Sequence, residues 1–172
     1  MGPLSSGAGV KRRARWRWWH LAGTPGMNRE GWLTAALSAL RPKFRKAGLP
    51  IPRGTRVACS WPSKGAIAKR ARSRNDAETW YFANGAPEIA ISPTLGQDDV
   101  EVLGALVHEM VHAALGHKID HRFAAFREAC EKIGLTRGRM CARRPGPELR
   151  AELEKLSRRL GPYPHNGVVF KN

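Results

Sequence analysis

The sequence predicts an α+β fold, in which a small antiparallel sheet packs beside one buried helix and about three further helices. Four stretches place apolar residues three and four apart, the spacing of a helix face. Three shorter stretches alternate in character and end at turn-forming residues, as strands do. A length of 172 residues with 42% hydrophobic content suits one packed domain and is too apolar for a wholly disordered chain.

Asn28 is placed to cap a first helix, whose face is Trp32, Leu33, Ala36, Leu37 and Leu40. Pro42 is expected to kink or end it, with Phe44 extending the apolar face. The breakers Gly48 to Pro52 follow. Thr55 to Trp61 reads as an edge strand because Pro62 comes next. Ser63 to Arg74 is basic and loop-like, and Glu78–Phe82 and Glu88–Ser92 read as strands joined through Asn84-Gly85. Asp98 and Asp99 sit where acids favour a helix start. The broad stripe of Leu103, Leu106, Val107, Met110, Val111 and Ala114 then predicts an interior helix over Val100–Leu115. Gly116 ends it, and Asp120 is expected to cap a third helix with Phe123, Phe126, Cys130 and Ile133 on its apolar face. Gly134 stops that helix, and a basic loop with Arg137, Arg139, Arg143 and Arg144 follows. Pro147 opens a last helix carrying Leu149, Leu153, Leu156 and Leu160 on one side.

Lys and Arg number 30 against 14 Asp and Glu, a formal net charge of +16. That charge points to a polyanionic partner, with nucleic acid the first candidate, reached through the basic loops. Residues 1–26 hold five of the cations and no acid, mixed with Gly, Ser and Trp. They are expected to be a disordered basic leader or upstream read-through before Met27, with the domain over 27–165 and a tail over 166–172. No apolar run approaches the roughly 20 residues of a membrane span. Cys59, Cys130 and Cys141 are an odd set without a Cys-x-x-Cys pair, which argues against a disulfide scaffold and favours a reducing, cytoplasmic setting.

Residues 108–112 read His-Glu-Met-Val-His. Histidines four apart on a helix lie about 40° apart around its axis and one turn along it, so His108 and His112 can face one metal ion. Imidazole suits Zn²⁺, and a catalytic zinc takes three protein ligands with one position left open. Glu109 lies beside that face, placed as general base for a zinc-activated water. Burying these groups in the most apolar stretch of the chain costs several kcal/mol unless they are paired or metal-bound. The third ligand is His121, brought back by the turn after Gly116, with His117 as the alternative. His117, five residues after His112, would stand about 140° off in a continuous helix. His20 and His165 lie far off in sequence, and Glu128 and Glu131 are weaker carboxylate candidates. Asp120 could orient a ligand as well as cap a helix.

His108-Glu-Met-Val-His112 followed by Gly116-His-Lys-Ile-Asp-His-Arg-Phe-Ala-Ala-Phe126 resembles the SprT-like zinc metallopeptidase domain of phages and bacteria. The resemblance extends to the Trp32 helix, Val57-Ala-Cys-Ser-Trp-Pro62, Glu88-Ile-Ala-Ile-Ser-Pro93, Ile133-Gly-Leu135 and Leu160-Gly-Pro-Tyr-Pro-His165. It implies a zincin-like domain, with His108 and His112 as the first two zinc ligands and Glu109 as the base. Two departures stand out. His121 is followed by Arg122 where such domains usually have Gly, and Phe126 comes five residues on instead of four. Many relatives also continue into a Cys-rich zinc ribbon after this stretch, whereas the sequence stops at Asn172, so the ribbon is expected to have been lost or the chain to be truncated. Tyr163 and His165 are expected to pack at the surface. The function expected is a zinc-dependent endopeptidase acting on protein substrates, DNA-associated ones included. The alternative is a non-catalytic zinc-containing nucleic-acid-binding module.

Overall fold

The computed structural model describes residues 27–63, 75–83, 85–136 and 144–168. The basic leader, nearly all of both basic loops, Asn84 and Cys141 lie outside them. The described residues form an α+β arrangement of four helices, a three-stranded sheet and a two-stranded ribbon.

Helix α1 (Arg29–Lys46) starts at Asn28, whose side chain accepts the Gly31 N–H, and buries Trp32, Leu33, Ala36, Leu37, Leu40 and Phe44. It runs through Pro42, which neither ends nor caps it. Proline forfeits one helical hydrogen bond, but Leu40 and Phe44 on either side are buried at 5% and 0% exposure. Arg41 adds a tie by donating to the Ile51 carbonyl at 3.0 Å. Packing therefore outweighs the local penalty.

Strands β1 (Arg56–Cys59), β2 (Ala77–Tyr81) and β3 (Pro87–Ile91) form a sheet in the order β1-β3-β2. The sheet is mixed, which corrects the expectation of an antiparallel one: β2 and β3 are antiparallel, but β1 runs parallel to β3. The β2–β3 hairpin is local and legible, with Gly85 at φ 76° and its N–H bonded to the Phe82 carbonyl. The partner of β1 is a long-range choice. Strand β3 is the most apolar, with Ile89, Ala90 and Ile91 at most 2% exposed, so it takes the centre and β1 must dock on its free side. Strand β3 consequently lies between β1 and β2, and β1 is an edge of the described sheet, as expected.

Helix α2 (Asp99–Leu115) is capped by Asp98, which accepts the Val100 and Glu101 N–H groups. It packs on β2, β3, α3 and α4, and buries eleven of its residues, His108 and Glu109 among them. Helix α3 (Ala124–Ile133) buries Phe126, Ala129, Cys130 and Ile133 and ends at Gly134 in the left-handed conformation. Its start differs from expectation, because Phe123 occupies the cap position and Asp120 does not cap. The Asp120 carboxylate instead accepts the Arg122 backbone N–H at 2.9 Å and its guanidinium at 2.7 Å. That local turn competes with helix and delays it. Phe123, left outside the helical phase, is 46% exposed.

Strands β4 (Leu135–Thr136) and β5 (Arg144–Pro145) pair antiparallel on either side of the second basic loop. Helix α4 (Pro147–Leu160) follows, burying Leu149, Leu153, Leu156 and Leu160. A helix of this length is marginal alone, whereas each buried leucine contributes about 1.5–3 kcal/mol. The chain after α4 straps the molecule together. Tyr163 is buried against Trp32, and its backbone N–H donates to Asp99 at 2.9 Å, so it does not lie at the surface. His165 Nε2 and the Val168 N–H both meet the Pro93 carbonyl, at 2.8 and 2.7 Å, and the chain expected to be a tail is thus bound at its start. Gly96, at φ 149°, passes so close to His165 and Gly167 that a Cβ there would strike their backbones.

Two substitutions test this packing. Pro42→Ala, at an exposed position, should raise stability in urea by about 1–3 kcal/mol by restoring a helical bond, and a lower midpoint would contradict the uninterrupted α1. Gly96→Ala should lower the thermal midpoint by about 5 °C or more. An unchanged midpoint would show that the strap is not held as described.

Candidate metal centre

Helix α2 carries His108, Glu109 and His112, and the turn before α3 returns His121 to the same place. The Nε2 atoms of His108 and His112 each lie 3.0 Å from Nε2 of His121. Two nitrogens on a tetrahedral zinc with bonds of about 2.0–2.1 Å stand about 3.3 Å apart, so the spacing suits one ion. Burial decreases from His108 through His112 to His121, which is exposed. The cluster therefore has a deep wall and an open rim. Three imidazoles form a donor set for a divalent transition metal.

Phe126 holds the rings in place. Its ring centroid lies 5.4, 4.4 and 4.7 Å from those of His108, His112 and His121, and the side chain is 1% exposed. Burial, reinforced by the two neighbouring histidines, pushes the His112 pKa down to about 3. A hydrogen bond to the Ile119 backbone opposes this only in part. His112 is thus a neutral imidazole, the form that binds metal.

Glu109 is 6% exposed, and its Oε2 accepts a hydrogen bond from Thr79 Oγ1 at 2.8 Å. Its Oε1 lies 4.0 Å from His108 Nε2. Strand β2 supplies a second anchor two residues on, where the Tyr81 hydroxyl donates to the His112 carbonyl at 2.7 Å. Burial, and then the charge of Glu109, pushes the Tyr81 pKa up to about 12, so it remains a donor. A cavity of about 450 Å³ opens against His108 and Glu109, with Asp76, Asp98, Glu101, Arg144 and Arg150 on its walls.

The remaining candidates lie elsewhere. His117 is exposed and packs edge-on against Tyr81 at 5.7 Å, outside the cluster. Glu128 and Glu131 are exposed on α3. His165 is engaged with Pro93, and Asp120 with Arg122. His20 lies outside the described residues. Sequence reasoning missed Thr79, Tyr81 and the cavity walls. The first two carried a usable signal, because residues 77, 79 and 81 alternate onto one face of a strand. Cys59 and Cys130 are free thiols, half-buried and buried. No family profile, curated protein or solved structure matches this chain.

The geometry predicts one metal ion per chain for this cluster. His108→Ala, His112→Ala and His121→Ala should each lower zinc affinity at least 100-fold in a competition titration, while His117→Ala should stay within about twofold. Loss of metal in His117→Ala with retention in His121→Ala would reverse the assignment.

Proposed function

We infer that the chain is a zinc-dependent peptidase, with His108, His112 and His121 as the metal ligands and Glu109 as the general base. The observation that carries this reading is the convergence of three imidazole Nε2 atoms beside a buried carboxylate and an open cavity. A structural zinc site is closed by a fourth protein ligand. Among the described residues this cluster holds three donors, a set that leaves room for a substrate. The similarity of His108–Phe126 and its flanks to SprT-like domains adds support, as does the α+β arrangement around α2.

A zinc ion held there would supply Lewis acidity and lower the pKa of water. Glu109 takes the proton of the attacking water at its carboxylate and passes it to the leaving amine, whose bond to the carbonyl carbon breaks. Strand β2 is an edge of the described sheet and runs past Glu109, so an extended peptide pairing with it would bring its carbonyl to the cluster. The excess of 16 positive charges favours proteins associated with nucleic acid as substrates. No helix of the described residues is long and apolar enough to cross a membrane. The free thiols fit the cytoplasm, where we place the protein.

The test is Glu109→Gln. This variant should keep one zinc per chain yet lose at least 1,000-fold in kcat on any peptide the wild type cleaves. Cleavage at wild-type rate would overturn the mechanism. A zinc-loaded wild type that cleaves nothing but binds nucleic acid with steep salt dependence would favour the non-catalytic module instead.

A further inference from the structure

We propose that Thr79 is a positioning residue for Glu109, fixing which of its carboxylate oxygens faces the histidine cluster. This rests on the peptidase reading. Thr79 lies on the face of β2 turned toward α2, and its hydroxyl has a single hydrogen to give. Two acceptors lie in reach: Glu109 Oε2 at 2.8 Å and the Glu109 backbone carbonyl at 3.1 Å. The carboxylate oxygen is the nearer of the two, so it takes the hydrogen. The neighbouring anchor, Tyr81, reaches only main chain, at the His112 carbonyl. Of these two β2 hydroxyls, Thr79 alone grips a side chain of the His-Glu-Met-Val-His motif.

The consequence is directional. With Oε2 tied to the strand, Oε1 is the oxygen held toward His108 Nε2, at 4.0 Å. A glutamate has three side-chain torsions, and one bond to a rigid strand removes most of their freedom. Thr79 thereby presents a base already aimed at the place where water and substrate meet.

The experiment compares wild type, Thr79→Val and Thr79→Ser, each zinc-loaded, on the peptide that the wild type cleaves best from a random library. Thr79→Val preserves shape and β-branching but removes the donor, and should lower kcat about 10- to 100-fold with KM and zinc affinity within about twofold. Thr79→Ser restores the hydroxyl and should recover most of kcat. A second readout needs no activity. In metal-free protein, Thr79→Val and Glu109→Leu, which lacks any acceptor, should be non-additive by about fivefold or more in the unfolding equilibrium constant. Equal kcat for Thr79→Val and wild type, in an enzyme that Glu109→Gln silences, overturns the Thr79 role alone. A wild type that cleaves nothing, with the folding cycle still coupled, overturns the peptidase reading and the catalytic role of Thr79 with it.

Discussion

Helix α2 must keep His108 and Glu109 in the interior of the molecule, and the surrounding elements are arranged to make that tolerable. A buried carboxylate or imidazole without a partner costs several kcal/mol, comparable to the net stability of a domain. The helix cannot turn these groups outward, because Leu103, Leu106, Val107, Met110 and Val111 on its other faces are fully buried. Partners have to be brought in. Strand β2 brings Thr79 to Glu109, the turn before α3 brings His121 to His108 and His112, and Phe126 supplies an apolar floor.

This constraint also explains how unequal elements cooperate. Strand β3 packs in the centre of the sheet and is the rigid reference, while β2 at the edge carries polar groups that reach α2. An edge strand with an apolar inward face would deny Glu109 the hydrogen bond from Thr79. Helix α4 and the strap from Tyr163 to Val168 secure the far end of α2 through Asp99, which accepts from Ser157 at 2.7 Å and from Tyr163 at 2.9 Å. Both ends of α2 are therefore pinned, and His108 and His112 lie in its C-terminal half with little freedom to drift.

Electrostatics divides along the same line. The chain as a whole is strongly basic, yet the cavity beside Glu109 is walled by Asp76, Asp98 and Glu101 as well as Arg144 and Arg150. Asp98 caps α2, and Arg150 pairs with Glu154 at 3.1 Å. The net charge of the chain is positive, whereas the cavity presents both signs at short range.

Local residue spacing was enough to foretell the strongly periodic helices and to set two histidines and a glutamate together on one of them. The faces of α1, α2 and α4 follow from residues three and four apart, and His108 and His112 share a face because a helix turns about 100° per residue. The β2–β3 hairpin was legible for the same reason, being local. What depends on distant partners was not. Pro42 stays helical because Phe44 is buried, and β1 runs parallel to β3 because β3 takes the centre. Asp120 turns to Arg122, an interaction that spacing alone does not reveal. The sequence already favoured His121 over His117, but its place against the cluster belongs to the tertiary structure. The turn after Gly116 had to swing one histidine onto Phe126 and the other against Tyr81, and only the packing of α3 on α2 decides which goes where.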